Sequence, residues 1–363
     1  MRGTGRTISG GNHTQGGAMK NAVLIGLGMV ADTHLTAFRD AETVYLSGIM
    51  GRDPEKARAY GRHAAEVLGR AVKTYQNADE VAADPGVDFV VIATPPDARR
   101  DLIAPLVRAG KPILMEKPVE RTLEAAQDIV TLCADHAVPL GIVFQHRARA
   151  ASQALKQALD QGKLGDITNA EIRVPWWRDQ DYYDAPGRGT YARDGGGVMM
   201  SQAIHTLDLA LWLLGPFSKV CAHMHQTALH RLEAENWAGA LFETAGGCVG
   251  TLTATTSAFP GTAETISLHG TKASAHLESG VLTIAHLDGE TETHGASATT
   301  GGGADPMAFT HAWHQSVIED FALAITDQRA PMATGKQALM AHAVIDAMER
   351  SGKLRSWEKV AQV

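Results

Sequence analysis

Asn21-Ala22-Val23-Leu24-Ile25-Gly26-Leu27-Gly28-Met29-Val30-Ala31 is a short apolar run that breaks into two closely spaced glycines. An apolar run of this length bounded by glycine reads as a buried strand. Gly-x-Gly-x-x-Ala between a strand and a helix is the dinucleotide fingerprint. Gly26 permits the tight turn, Gly28 lets the backbone approach a pyrophosphate, and Ala31 is small enough for close helix–strand packing. The helix that starts there offers free N–H groups and the positive end of its dipole. Leu27, Met29 and Val30 complete the loop that is expected to hold the cofactor.

Downstream, the same alternation repeats. Val44–Met50 is a second apolar strand, followed by Gly51-Arg52-Asp53-Pro54-Glu55. Asp53 as N-cap, with Pro54 and Glu55 in the first turn, is a strong helix start. An NAD site tends to place a carboxylate at this strand end for the ribose 2′-OH. Gly51 stands there instead, with Arg52 next, which suits a 2′-phosphate; NAD(P), leaning to NADP, is therefore the expected cofactor. Val87–Ala93 is a third apolar run and ends in the rigid turn Thr94-Pro95-Pro96. A helix from about Asp97 to Ala109 follows, with Gly110 as its cap. Ile113–Met115 then delivers Glu116, Lys117 and Pro118 to the same edge, and Pro118 fixes the turn. A helix over Leu123–His136 and a strand over Leu140–Phe144, leading to Gln145, complete the set. Strand and helix alternating from Lys20 to Phe144 predict a doubly wound parallel sheet of the α/β class.

At 363 residues the chain has room for two domains, expected at 19–147 and 148–363. Met1–Ala18, rich in Gly, Ser and Thr without an apolar core, reads as a disordered leader or tag rather than a signal peptide. A net charge of -7 gives no reason to expect nucleic acid or an anionic membrane as partner. No apolar run reaches the roughly 18 residues of a membrane span. Cys133, Cys221 and Cys248 are scattered and fit free thiols in a reducing cytoplasm. His223, His225 and His230 lack a carboxylate or thiol cluster beside them, so no metal is expected.

Beyond a helix around Ala151–Gln161 the pattern changes. Ile167–Val174, Lys219–His225, Trp237–Thr244, Cys248–Ser257, Thr265–His269 and Ala273–Ile284 read as strands joined by short turns, predicting an open, mostly antiparallel sheet in an α+β domain. Such a sheet leaves a face for a homodimer or homotetramer. Asp288–Asp305 reads as a flexible loop, and helices are expected at Pro306–Asp327 and Gly335–Ser351. Between the first two strands, Gly195-Gly196-Gly197 opens a helix running to Leu214. Ile204, Leu207, Leu211 and Leu214 form its apolar stripe, and Ser201, His205 and Asp208 form a neighbouring polar one. Trp176-Trp177-Arg178, Tyr182-Tyr183 and Arg188 mix aromatic faces with guanidinium donors, which suits an oxygen-rich ring. Trp177, Arg178, Arg188, Ser201, Gln202 and His205 are the candidate substrate contacts.

Gly26-Leu27-Gly28, Thr94-Pro95-Pro96, Glu116-Lys117-Pro118, Gly195–Asp208 and Arg329-Ala330-Pro331 occur in that order. Together the set resembles the glucose–fructose oxidoreductase/inositol dehydrogenase/MocA (Gfo/Idh/MocA) family over essentially residues 19–351. The resemblance implies a Rossmann domain with bound NAD(P), a C-terminal domain used in oligomerisation, and a sugar, sugar derivative or cyclitol oxidised at a secondary hydroxyl. It further implies Lys117 as the catalytic lysine, His205 as the acid/base histidine, and a cis bond before Pro118. Two departures stand out: Ser201 replaces a frequent Asp, and Arg99 a frequent His.

The expected chemistry is hydride transfer with a nicotinamide. His205 is expected to take the hydroxyl proton and Lys117 to polarise the oxygen, with the roles open to exchange because a neighbouring cation lowers the lysine pKa. Tyr183 is a third proton candidate. The rival readings are a non-catalytic dinucleotide- or sugar-sensing protein of the same fold, and a reductase of imine, enone or carbonyl substrates.

Overall fold

The computed structural model describes residues 19–303 and 305–363; the expected leader Met1–Ala18 lies outside them. Six parallel strands, β1 (Lys20–Ile25), β2 (Val44–Met50), β3 (Lys73–Tyr75), β4 (Phe89–Ile92), β5 (Ile113–Glu116) and β6 (Leu140–Val143), form the first sheet. Their order is β3-β2-β1-β4-β5-β6. Every residue of β4, β5 and β6 is buried, as continuous apolar runs covered by helices on both faces require. The strand order reverses between β1 and β4, and the carboxyl ends on either side of that point open the crevice where such sheets bind ligands. β3 is three residues of sheet edge, too short to show as a periodic run. Asp53 caps the helix Pro54–Leu68, accepting from the amides of Glu55 (2.9 Å) and Lys56 (3.2 Å).

The second sheet has nine strands: β7 (Ile167–Pro175), β8 (Phe217–His225), β9 (Trp237–Thr244), β10 (Val249–Thr255), β11 (Thr265–Gly270), β12 (Ala273–Glu278), β13 (Val281–His286), β14 (Thr291–Gly295) and β15 (Glu358–Lys359). They run in the order β14-β13-β12-β11-β7-β10-β9-β8-β15, antiparallel except where β10 lies parallel to β7. β7 buries Ala170, Ile172 and Val174 and exposes Asn169, Glu171 and Arg173, the alternation of a one-sided sheet. Where one long strand was expected at Ala273–Ile284, β12 and β13 form a hairpin. Its two-residue turn, Ser279-Gly280, has positive φ at both positions (49° and 82°), the conformation that matches strand twist. The expected loop Asp288–Asp305 contains β14, which pairs with β13.

The helices Ala150–Asp160, Ile204–Leu214 and Gly335–Leu354 cover the buried face of the second sheet. Ala312–Asp327, which begins six residues later than expected, returns to the first sheet instead. Its Val317, Ile318, Phe321 and Ala322 pack with Leu24, Leu46, Val91 and Leu114. The Phe321 ring lies 5.4 Å from that of Phe89 and fills the space beside Gly141. Burying such a ring stabilises by about 1.5–3 kcal/mol. The C-terminal residues thus serve both sheets and tie the two units together.

Candidate active site

Lys117 leaves the carboxyl end of β5, and the bond to Pro118 is cis. Arg99, itself buried, holds this turn from below. Its Nη1 donates to the carbonyls of Glu116 (2.5 Å), Pro118 and Val119, while Nε and Nη2 donate to Thr94 O at 3.1 and 2.6 Å. One guanidinium therefore draws the ends of β4 and β5 together; sequence reading found Arg99 only as a departure from a histidine. Lys117 Nζ donates to the main-chain carbonyl of Ser201 at 2.8 Å. Burial pulls this amine down to about 8; the charges of Arg188 and Arg99 act the same way and that of Glu116 opposes them.

Glu116 faces the cavity wall between two histidines: His34 Nε2 lies 2.9 Å and His314 Nε2 3.5 Å from its Oε1. Burial alone would raise this carboxyl, but hydrogen bonds to His314 and His34 hold it well below the usual carboxylate range. Sequence reading did not anticipate these two histidines, which come from the helices Ala31–Asp40 and Ala312–Asp327.

His205 sits on the helix opened by the three glycines. The Glu235 carboxylate accepts from the amides of Gly197 and Met199, both at 3.0 Å. A Cβ on Gly197 would lie 1.7 Å from Glu235 O, so only glycine allows this approach. The first turn, Met199–Ala203, is π-helical before regular helix resumes at Ile204, a departure frequent at functional sites. The His205 ring stacks on His146 at 5.1 Å and meets Phe144 edge-on at 6.1 Å. Burial, reinforced by the Lys117 charge, lowers its pKa well below the ordinary histidine value, so it is neutral at working pH. Asp208, expected on the same polar stripe, is engaged elsewhere: Arg147 Nε and Nη2 donate to its two oxygens, both at 2.7 Å.

One cavity brings most of the candidates together. Gly28, Met29, Val30, Thr94, Pro95, Pro96, Glu116, Lys117, Gln145, Arg178, Arg188, Ser201, Gln202 and His205 all line it. Gly26, Leu27, Arg52, Trp177 and Tyr183 do not. Gly26 takes φ 105° behind the loop, where a Cβ would meet Ala93 and Thr94 backbone at 2.6 Å, and Leu27 packs beside Gly51. Arg52 is exposed. Trp177 packs on Phe259 (5.2 Å), and its neighbour Trp176 lines the cavity, because adjacent residues of an extended segment point opposite ways. Tyr183 is buried with its hydroxyl 2.6 Å from Thr256 Oγ1, and burial pushes its phenol further up; Tyr182 takes the lining position. His230 is held by Arg178 O and Asn236, each at 2.8 Å, while His223 and His225 stack on β8.

The glycine loop fits a dinucleotide. A Cβ on Gly28 would meet no atom within 4 Å among the described residues, so the loop leaves open space on the cavity side, at the N-terminus of the helix Ala31–Asp40.

Residues 20–144 match the model of the oxidoreductase family with an NAD-binding Rossmann fold, and residues 152–276 match the Gfo/Idh/MocA C-terminal domain. The chain belongs to the Gfo/Idh/MocA family of oxidoreductases. Among curated relatives, inositol 2-dehydrogenase of Rhizobium meliloti (strain 1021) is 29% identical over 337 residues, covering 90% of this chain and 95% of that protein. D-apiose dehydrogenase of Rhizobium rhizogenes is 26% identical, covering 83% and 84%. A levoglucosan dehydrogenase solved with NADH and levoglucosan superposes with a TM-score of 0.82 at 22% identity, covering 95% of this chain and all of that one. No helix among the described residues is long and apolar enough to cross a membrane.

Proposed function

We propose that this oxidoreductase transfers a hydride between a secondary hydroxyl of a sugar, sugar derivative or cyclitol and a nicotinamide. The observation that carries the reading is that Lys117 and His205, from different domains, line the same cavity as the glycine loop. When bound, NAD(P) supplies the hydride acceptor. Gly28, Met29 and Val30 would hold its pyrophosphate, and Thr94, Pro95, Glu116 and Gln145 the remainder. Arg52 supports a preference for NADP: it is exposed two residues past β2, and Asp53 is occupied as a helix cap.

The pKa directions support the exchange of roles left open by the sequence. An imidazole held well below its ordinary value is a weak base, whereas an amine near 8 has a free pair in the working range. Lys117 takes the hydroxyl proton, and His205, neutral, hydrogen-bonds the same oxygen and orients it. Ser201 contributes its main-chain carbonyl, which fixes the amine where a side-chain carboxylate is absent. The open face of the second sheet supports a homodimer or homotetramer. The test is reduction of NAD+ and NADP+ against myo-inositol, D-apiose, levoglucosan and a wider sugar panel, with Lys117→Met as control. Nicotinamide reduction that needs Lys117 supports the reading; an absence of turnover across the panel, in both reaction directions, counts against it.

A further inference from the structure

Two arginines lie two residues apart after β6, and they differ in one respect. Arg147 presents its Nε and Nη2 to both oxygens of Asp208, the side-on fork that guanidinium offers a carboxylate. Arg149 uses only Nη1, which donates to Glu264 Oε1 at 2.5 Å. Its Nε and Nη2 are buried and have no partner among the described residues. The group is 4% exposed, lines the cavity, and sits over Trp313, with Cζ 4.4 Å from the ring centroid. A buried guanidinium edge without acceptors is costly, and on a residue that lines a ligand cavity the cost would be met by an acceptor that arrives with the ligand.

The charge of the cavity agrees. Six arginine and lysine side chains line it against two carboxylates, Glu116 and Asp194, in a chain whose net charge is -7. Glu116 is already held by two histidines, and Asp194 accepts from the Gly189 amide. Arg188 has no carboxylate partner among the described residues; its Nη2 lies 3.8 Å from Met29 Sδ and its Cζ 4.9 Å from the Tyr182 ring centroid. A dinucleotide's pyrophosphate would account for part of this excess at the glycine loop. Arg149 lines the same cavity and is three residues beyond His146, which stacks on His205.

We propose that the substrate carries a carboxylate and that the Nε–Nη2 edge of Arg149 receives it, so that the reacting hydroxyl belongs to a sugar acid rather than a neutral sugar. This rests on the dehydrogenase reading above. Glu264 and Trp313 fix the plane of the guanidinium, and its free edge meets the two carboxylate oxygens as Arg147 meets Asp208. The reaction is otherwise unchanged: the alcohol is oxidised, the nicotinamide reduced, and the carboxylate takes no part in bond making.

The test compares acid with neutral partner: D-glucuronate and D-gluconate with D-glucose, D-galacturonate with D-galactose, and D-glucose 6-phosphate as a different anion. kcat/KM is measured with NAD+ and NADP+, and the melting temperature of the NAD(P)H-loaded protein is measured with the same compounds. At least one acid is expected to exceed its neutral partner tenfold or more in kcat/KM or in apparent affinity. Because Arg149→Gln alone leaves the buried Glu264 carboxylate with Trp176 Nε1 but without its cationic partner, the variant is made singly and as Arg149→Gln with Glu264→Gln. In the folded variant KM for the acid rises at least tenfold, while the neutral partner's KM and NAD(P)H affinity stay within twofold. Neutral sugars equal to or better than every acid, a preference for the phosphate, or a loss shared by acid, neutral sugar and cofactor would each overturn the proposal. If neutral sugars are oxidised in a Lys117-dependent way without any advantage to acids, the dehydrogenase reading stands and this one falls. If acids bind through Arg149 but no nicotinamide is reduced, the reverse holds.

Discussion

Lys117 Nζ donates to the carbonyl oxygen of Ser201 at 2.8 Å, a hydrogen bond between the carboxyl end of β5 and the π-helical turn Met199–Ala203. It ties the amine to a residue four positions before His205 on the facing helix, so the packing of that helix against β5 sets the spacing of the two side chains. An amine held in this way is oriented before any substrate enters.

Under the proposed mechanism, Lys117→Met removes the proton acceptor and leaves the glycine loop intact. Turnover is expected to fall by at least about a hundredfold, within the range that a positioned acid or base contributes. NAD(P)H affinity, read by fluorescence titration, is expected to stay within a few fold. Turnover near wild type would remove Lys117 from the chemistry.

The amine near 8 makes a pH signature. With Lys117 as the proposed base, its free-base form acts in the oxidative direction, so log kcat/KM is expected to rise with pH and level off, with an inflection no higher than about 8. Oxidised nicotinamide, being cationic, moves that inflection down. His205, held well below its ordinary value by burial, adds no inflection near neutrality. A profile that falls through pH 8 would assign the active form to the ammonium instead.

Arg99→Met leaves the carbonyls of Thr94, Glu116 and Pro118 without their donor. Each unsatisfied buried group costs about 1–3 kcal/mol, so denaturant unfolding is expected to show a loss of about 3 kcal/mol or more. Arg99→His, shorter but still a donor, is expected to recover part of it. A stability unchanged in Arg99→Met would mean that water or backbone movement replaces the guanidinium.

Gly197→Ala places a methyl group onto Glu235 O. The helix entry must shift, and with it the Glu235 bonds to the amides of Gly197 and Met199. kcat is expected to drop at least tenfold with a lowered melting temperature, whereas Gly246→Ala, a turn glycine of the second sheet, is expected to alter kcat less than twofold.

Arg52→Ala tests cofactor choice. NADP affinity is expected to fall about tenfold with NAD affinity unchanged, since only the former carries a 2′-phosphate to pair with the guanidinium. Equal changes for both would leave Arg52 a solvated surface group.

The first sheet was legible because its strands are continuous apolar runs ending in glycine or proline, and these ends are where Gly28, Thr94 and Lys117 meet. The Asp53 cap was legible for the same reason, being a local pattern. What the sequence hid was long-range. Nothing near Arg99 announces that it bonds carbonyls across β4 and β5, and nothing near His34 or His314 announces Glu116. Residue type is readable in Trp176-Trp177 and Tyr182-Tyr183 but side-chain direction is not, and it is Trp176 and Tyr182, rather than Trp177 and Tyr183, that line the cavity. The return of Ala312–Asp327 to the first sheet is likewise a tertiary choice, set by the fit of Phe321 over Gly141. Asp208 belonged to the right helical stripe but found Arg147 first.

The most direct measurement is a crystal structure of the ternary complex with reduced cofactor and the oxidised form of whichever compound the panel selects. The expected result is one substrate oxygen within about 3.2 Å of both Lys117 Nζ and a ring nitrogen of His205, a hydrogen-bond distance to each. A substrate oxygen that reaches only one of them, or neither, would contradict the shared role of these two residues.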